Sequence, residues 1–302
     1  MFGIDRQVYY RQIKSRTKSQ AVAQEVVDMV VQVRMRMPRI GTRKLYFILK
    51  DQLMAIGIGR DKLFAIMKAN QMRIYPKRNY RVTTNSYHRF RKHADIVTGT
   101  TIVRPEQVWV SDITYVGTTR SYNYLALVTD AYSKKIVGYD LSSSLSTEGS
   151  LRALHMAVKG RMYPEDILIH HSDKGLQYCS NDYQELLQKS QLLCSMTTSY
   201  DPYSNAVAER VNGIIKNEFD LEKYKVDLAT LKKIVTETVE IYNTERPHFS
   251  CSMLTPSQMH QQNKVTMKTY KTKNRSKELL ASVFCFVGLH GDLVLLMHLT
   301  WG

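Results

Sequence analysis

Three carboxylates, Asp112, Asp173 and Glu209, are separated by 60 and then 35 intervening residues, and Lys216 follows the last of them by seven. Asp112 sits in QVWVSDITYV, a β-rich apolar run that an acid ordinarily avoids. Asp173 closes EDILIHHSDKG, where a short apolar strand gives way to a polar turn ahead of Gly175. Glu209 lies in DPYSNAVAERVNGIIKNEF, where Asn205 can cap a helix sketched by Ala206, Ala208, Val211, Ile214 and Ile215. Lys216 falls two turns further along, on the same face as Glu209. Two strand-end aspartates and a helix glutamate that converge make an oxygen-rich site for a hard divalent cation. Magnesium suits it, with manganese as a possible substitute, because such ions bind through one or two carboxylates and take further ligands from water and phosphate. A pair of ions about 3.5–4 Å apart serves both the attacking and the leaving oxygen of an in-line phosphoryl displacement. Lys216 would then meet substrate phosphate.

The elements that must position these acids are legible in outline. From Gln107 the chain reads as three strands, QVWVSDITYVG, YNYLALVTDAYS and KKIVGYDLSS, then a helix, LRALHMAVKG, and the strand that ends at Asp173. A further helix, NDYQELLQKSQ, leads to a short strand at LLCSM. The helix LATLKKIVTETVEIYNTERPH carries Leu228, Leu231, Ile234, Val235, Val239 and Ile241 near helical spacing, a stripe that core packing explains better than a dimer seam. Upstream, MFGIDRQVYYRQ reads as a short helical element and a second helix runs from Ser19 to about Met37, where Pro38 ends it. GTRKLYFILKDQL and RDKLFAIMKANQM, joined across MAIGIG, form two short helices about a glycine-containing turn, a helix-turn-helix pattern. Arg60, Lys62 and Lys68 on the second helix, with Arg43 and Lys44 on the first, are candidate DNA contacts. A plain helical hairpin with a solvated basic face shows the same pattern.

Charge divides the chain. Lys and Arg number 43 against 27 Asp and Glu, a net charge of +16. Residues 1–105 hold 22 basic and 6 acidic residues, and residues 106–302 hold 21 of each. A basic module joined to a neutral one points to polyanion capture beside a unit with another job. Nucleic acid is favoured over a membrane surface, since no sustained amphipathic basic helix with Trp or Phe is present. The stretch 73–104 interleaves Tyr75, Tyr80, Tyr87 and Phe90 with Arg and Lys, a composition that suits both a phosphate-tracking segment and a basic linker. Four widely spaced cysteines, Cys179, Cys194, Cys251 and Cys285, show no metal-ligand spacing and read as reduced. With no signal peptide at the start, a cytoplasmic, nucleoid-associated protein is expected.

The segments WVSDITY, HHSDKGLQY and DPYSNAVAERVNGIIKNE, followed by YNTERPHFSCSMLTP, resemble the integrase core of bacterial insertion-sequence transposases of the IS3 family. The resemblance implies a ribonuclease-H-like α/β fold, a mixed five-stranded sheet flanked by helices, preceded by a small all-α helix-turn-helix domain. It places the family's acidic triad, catalytic and metal-binding, on Asp112, Asp173 and Glu209, and its basic position on Lys216. Its YN…RPH…TP element falls on Tyr242, Asn243, Arg246, Pro247, His248, Thr255 and Pro256. Cys251 stands where the family usually has leucine, a matter of packing. The implied activity is two-metal cutting and joining of element ends: strand cleavage to a 3′-hydroxyl, then strand transfer. Implied partners are double-stranded DNA, both element ends and target, and further copies of the chain in a synaptic complex, with no membrane. The expected organisation is a helical segment over 1–37, the helix-turn-helix over 38–72, a basic linker over 73–105, the catalytic core over 106–260 and a basic, then apolar tail over 261–302.

Other readings are weaker. A chain opening on MFGIDRQVYY looks like the downstream frame of such an element, so a DNA-binding regulator or an inactive partial product is the alternative. A retroviral-type integrase would carry a His/His/Cys/Cys module, and the N-terminal third has only His88 and His93 and no cysteine. No GxxxxGK[ST] or GxSxG string is present, which sets aside nucleotide hydrolysis and a serine elbow. Asp130, ending YLALVTD, reads as a turn residue rather than a fourth site acid. His170 and His171 are adjacent in a strand and so face opposite ways, against a shared zinc. Gln177 and Tyr178, just past Asp173, are candidate DNA contacts or helix-start packing. The apolar tail is interrupted by His290, Asp292 and His298, which argues against a membrane span.

Overall fold

The computed structural model describes residues 6–75, 92–118, 121–197 and 206–261. Asn205, Tyr80, Tyr87, Phe90, Cys285 and the apolar tail lie outside them. The chain begins with one continuous helix, α1 (Arg6–Arg36), where the sequence suggests two pieces; no glycine or proline interrupts this stretch. Three short helices follow, α2 (Thr42–Ile48), α3 (Lys50–Ala55) and α4 (Arg60–Ala69). Gly57, at φ +70°, lets the chain reverse between α3 and α4.

Next come β1 (Val108–Thr118), β2 (Ser121–Asp130) and β3 (Ile136–Ser142), then α5 (Thr147–Lys159) and β4 (Ile169–Ser172). The short α6 (Leu176–Cys179) and α7 (Asn181–Lys189) precede β5 (Leu193–Met196). Three helices complete the described chain: α8 (Ala206–Glu218), α9 (Leu228–Thr244) and α10 (Pro256–His260). The sheet order is β3-β2-β1-β4-β5, antiparallel across β3-β2-β1 and parallel across β1-β4-β5. This is the ribonuclease-H-like arrangement: a meander that turns into parallel strands with helical crossovers. Among the described residues no helix is long and apolar enough to cross a membrane.

Strand alternation gives the sheet two apolar faces. Trp109, Ala126 and Val128 pack with Ala153 and Leu154 of α5 and with Tyr183 and Leu187 of α7. Gly138 on β3 is required there, because a Cβ at that position would lie 2.0 Å from the Ala153 carbonyl oxygen of α5. On the opposite face, Val116, Leu125 and Leu127 join Val211, Ile214 and Ile215 of α8 and Leu231, Val235 and Val239 of α9. The α9 stripe is thus core. The same apolar cluster continues through Val26 and Val30 of α1 and Leu45, Leu53, Leu63 and Met67 of the short helices.

Two buried charge clusters brace this architecture. Beneath the start of β1, Glu106 accepts from the Met162 and Tyr163 backbone N–H groups at 2.7 and 3.1 Å and from Arg161 at 3.3 Å. Asp130 is fully buried, and accepts from the Glu106 N–H and from Ser133 at 2.7 Å each. His260 of α10 lies 3.5 Å from Glu106 and 3.7 Å from Asp130. Burial works against the Glu106 charge, yet these donors hold its carboxyl down at about 2, and the two acids raise His260 against its own burial. The second cluster centres on Glu218 at the end of α8. Arg246, 1% exposed, reaches it with two bonds of 2.9 and 2.8 Å, Lys44 lies 3.5 Å away, and the Glu218 carbonyl accepts from the Arg39 N–H at 2.9 Å.

Removing the Glu218 carboxylate leaves two interior cations without a counter-charge. Glu218→Ala is expected to cost about 3–5 kcal/mol in denaturant unfolding. Burial disfavours the Glu218 charge, but Arg246 and then Lys44 hold its pKa below the ordinary value. The stabilisation from this group is therefore present above about pH 4.3, the ordinary glutamate pKa, and is lost as pH falls through the lowered value. An alanine variant as stable as the parent at neutral pH would contradict this.

Candidate active site

The parallel register of β1 and β4 builds the site. Ser111 pairs with Ser172, so Asp112 and Asp173, each the next residue, emerge side by side on one face of the sheet. Asp173 follows the last residue of β4, whereas Asp112 lies inside β1 rather than at its end, because β1 runs on to pair with β2. Helix α8 lies across the same face, with Val211 and Ile215 buried against it and Ala208 packed with Val108 and Val110. That packing brings Glu209, an exposed residue of the first turn of α8, towards the two aspartates. The sheet, the turn after β4 and the helix thus gather all three acids picked out by spacing.

Asp112 registers this crowding. Its pKa is pushed up to about 7, first by desolvation, then by the neighbouring Asp173 and more weakly by Glu209. Two donors oppose the shift: Asn212 Nδ2, 2.7 Å from one carboxylate oxygen, and the Ile113 N–H, 2.9 Å from the other. Asn212 stands one turn after Glu209 on α8 and ties that helix to β1. Sequence reasoning passed over it, although a polar residue three positions beyond a candidate ligand, on the buried side of an apolar helix, is a usable signal. Its Oδ1 is buried without a hydrogen-bond partner. Asp173 is held by a turn of its own, accepting from the Gly175 N–H at 3.0 Å.

Below the acids the sheet carries buried polar contacts that the sequence did not disclose. His170 Nε2 lies 2.8 Å from Ser111 Oγ and 2.9 Å from the Tyr183 hydroxyl, while His171 Nδ1 meets Ser195 Oγ at 2.9 Å. The two imidazoles therefore serve opposite faces. Burial, then the neighbouring His171, lowers the His170 pKa to about 3, so the ring is neutral. Tyr178 is 3% exposed and packs edge-on against Tyr183 with ring centroids 5.4 Å apart. Its hydroxyl is buried without a hydrogen-bond partner, and its pKa is raised by burial, then by Asp112. Gln177 donates to the Leu145 carbonyl at 3.0 Å. Asp130 pairs in register with Trp109, on the other face of the sheet from Asp112, and belongs to the cluster beneath β1.

The candidate DNA contacts separate into two groups. Arg43, Arg60, Lys62 and Lys68 are exposed, and Arg60 pairs with Asp61 at 2.9 Å. Lys44 is 6% exposed and faces Glu218; its pKa is lowered to about 8, chiefly by burial. Lys216 pairs with Glu222 at 3.1 Å.

The donor set fits a hard divalent cation. Burial and the neighbouring acids raise Asp112 to about 7, so the charge of a cation would be favoured beside these carboxylates. Among the described residues no three His, Cys, Asp or Glu side chains are already placed to hold a metal ion together.

Comparison with known proteins gives the following matches. Residues 103–202 match one integrase core domain family, and residues 190–256 a second family of the same description. The insertion element IS600 uncharacterized 31 kDa protein of Shigella sonnei is 33% identical over 262 residues, covering 85% of this chain and 95% of that one. The transposase for insertion sequence element IS629 of Shigella sonnei is 38% identical over 143 residues, 47% of this chain and 48% of its own length. Transposase InsF for insertion sequence IS3A of Escherichia coli K12 is 33% identical over 160 residues, 53% and 55% of the two chains. Among solved structures, the HTLV-2 integrase catalytic core domain in complex with magnesium aligns with 52% of this chain and 97% of its own at 21% identity and a TM-score of 0.42.

The Asp112 shift has a sign that can be checked in metal-free protein. A carboxyl raised to about 7 in the fold, against about 3.9 unfolded, stabilises the fold while protonated; that contribution is complete below about pH 4 and is lost as pH rises through 7. Asp112→Asn is therefore expected to raise the Tm above that of the parent at pH 8 by several degrees, with the gap closing by pH 4. Turning the Asn212 amide over would let its Oδ1 accept from the new side chain. Equal melting of the two proteins at pH 8 would show that Asp112 ionises without penalty.

Proposed function

The chain belongs to the IS3 family of insertion-sequence transposases, and on that premise we propose that Asp112, Asp173 and Glu209 form its catalytic centre, a DDE-type polynucleotidyl transferase cutting element ends and joining them to target DNA. The observation that carries this reading is the β1–β4 register, which sets Asp112 beside Asp173 on the face that α8 crosses with Glu209. Asp112, Asp173 and Glu209 are the residues that would hold magnesium, Glu209 being the carboxylate available to a second ion. When bound, the ions supply charge stabilisation to the attacking and leaving oxygens of an in-line displacement.

The side chains of this protein do the rest. Asp112 gives up its proton as the site is loaded, which makes loading more favourable at higher pH. Asn212 fixes the rotation of the Asp112 carboxylate, and the Gly175 N–H fixes Asp173, so the ligands are oriented before substrate arrives. Strand cleavage and strand transfer are both phosphodiester displacements, one with water and one with the new 3′-hydroxyl as nucleophile, so one set of ligands serves both. Lys216, two turns beyond Glu209, would exchange its ion pair with Glu222 for substrate phosphate. Gln177, half-buried on the helix after Asp173, remains within reach of substrate, whereas Tyr178 is buried against Tyr183 and packs the core instead of meeting DNA. Arg43, Arg60, Lys62 and Lys68 are exposed cations available to duplex phosphate, with Lys44 held behind them. Joining two element ends requires at least two protomers. No feature of the described residues favours a regulator without catalysis.

Replacing Asp112, Asp173 or Glu209 by alanine is expected to lower magnesium-dependent cleavage and joining of element-end DNA by about a thousandfold, the scale of several kcal/mol of lost charge stabilisation, while end binding persists. Cleavage that survives Asp112→Ala with its magnesium dependence intact would sink the proposal. Replacing Lys62 or Lys68 by alanine is expected to weaken binding to all duplexes alike and to flatten the plot of log K against log salt by about 1. A loss confined to one sequence would point to base reading instead.

A further inference from the structure

A cleft of about 620 Å³ lies between the N-terminal helices and α8. One wall is α8 itself, from Glu209 through Arg210 and Gly213 to Asn217; the other combines Arg39–Lys44, Phe64 of α4 and the segment Arg73–Tyr75. Phe249, from the turn after the Arg246–His248 element, closes one side.

Three properties of this cleft point the same way. Its lining holds five cations and two carboxylates; with Lys44 and Glu218 paired to each other, Arg39, Arg43, Arg73 and Arg210 remain against Glu209. Large aromatic surface is left uncovered: Tyr75 is 67% exposed and Phe249 56%. Arg73 lies 6.0 Å from the Tyr75 ring, and Arg39 holds that segment through the Tyr75 carbonyl at 2.8 Å. Guanidinium groups beside exposed rings are the composition that follows a phosphate chain while stacking its bases.

The third property is Gly213. It sits in the middle of a 13-residue helix, where glycine costs about 1 kcal/mol relative to alanine. Neither packing nor backbone requires it: a Cβ there would meet only Asn217 Nδ2, at 4.0 Å, and its φ is not left-handed. What glycine does at this position is leave the cleft floor open, one turn from Glu209.

We propose that this cleft receives unpaired nucleotides of the DNA strand next to the phosphodiester being cut, with phosphates on the arginines and bases against Phe249 and Tyr75. The assignment rests on the reading of Glu209 as part of the catalytic centre, because Glu209 is where the cleft meets the acids. The space falls within the roughly 300–1,000 Å³ of small-ligand sites and is too small for a duplex. The element end must therefore open locally for its strand to enter.

Binding of the full chain, in EDTA, to two fluorescent duplexes tests the proposal: an insertion-sequence end fully paired, and the same end with its last few pairs mismatched. The parent is expected to prefer the mismatched end. Phe249→Ala and Gly213→Leu are expected to reduce that preference about tenfold, the scale of one lost stacking contact, with affinity for the paired duplex retained. Gly213→Ala, tested by melting, is expected to match or exceed parental stability, since nothing native occupies the space. Variants that keep the full preference, or that lose affinity for both duplexes equally, would overturn the assignment. Magnesium-dependent cleavage by the parent is measured alongside. A parent that does not cleave while Phe249→Ala still loses the preference removes the catalytic reading and leaves the cleft; a parent that cleaves with the preference unchanged in both variants removes the cleft alone.

Discussion

Everything in this protein is arranged around like charges held close together. Two aspartates leave adjacent parallel strands in the same register and direction, and burial, then the charge of Asp173, raises the pKa of Asp112. Left to itself, such a pair would rotate apart or splay the strands. The fold prevents both: β1 is paired on its two sides by β2 and β4, and the Asp112 carboxylate is held by Asn212 and its neighbouring N–H. Since Asn212 and Glu209 share α8, the contact that steadies the first acid also delivers the third.

The placement of α8 then depends on what lies behind it. Its apolar side is continuous with the sheet face, and its last residue, Glu218, is where Arg246, Lys44 and the Arg39 N–H converge. The N-terminal helices contribute apolar side chains to the cluster that packs beneath α8, and one of their lysines to its charge hub. A surplus of positive charge in the first third of the sequence therefore has two destinations: some of it remains at the surface, and some is spent inside as internal counter-charge for a helix end.

How much of this the sequence disclosed follows from the range of the forces involved. The triad was legible because each acid interrupts an apolar run, and alternation or helical spacing identifies the element it rides on. The succession of strands and helices along the core was legible for the same reason, while the mixed five-stranded sheet came from the family resemblance. The continuity of α1 was not, since a helix buried only at Val26 and Val30 has little periodic signal in its first turns. Lys44 was read as a DNA contact and Asp130 as a turn residue, because a short window does not show the partner that buries a charge; those partners, Glu218 and Glu106, are 174 and 24 residues away. Asn212 was passed over because its amide alone does not name its partner, although its place on the buried side of the helix marks it as a polar residue that needs one.

The cluster beneath β1 bears on the order in which the molecule can be made. His260 of α10 completes the surroundings of Glu106 and Asp130, residues synthesised far earlier in the chain. On the ribosome those two acids must wait with their final partner missing, and an early burial would strand them without it. The sheet of a nascent chain therefore has reason to stay open at the start of its central strand until α10 emerges. Truncation before α10 would leave that cluster incomplete although every proposed catalytic residue had already been made.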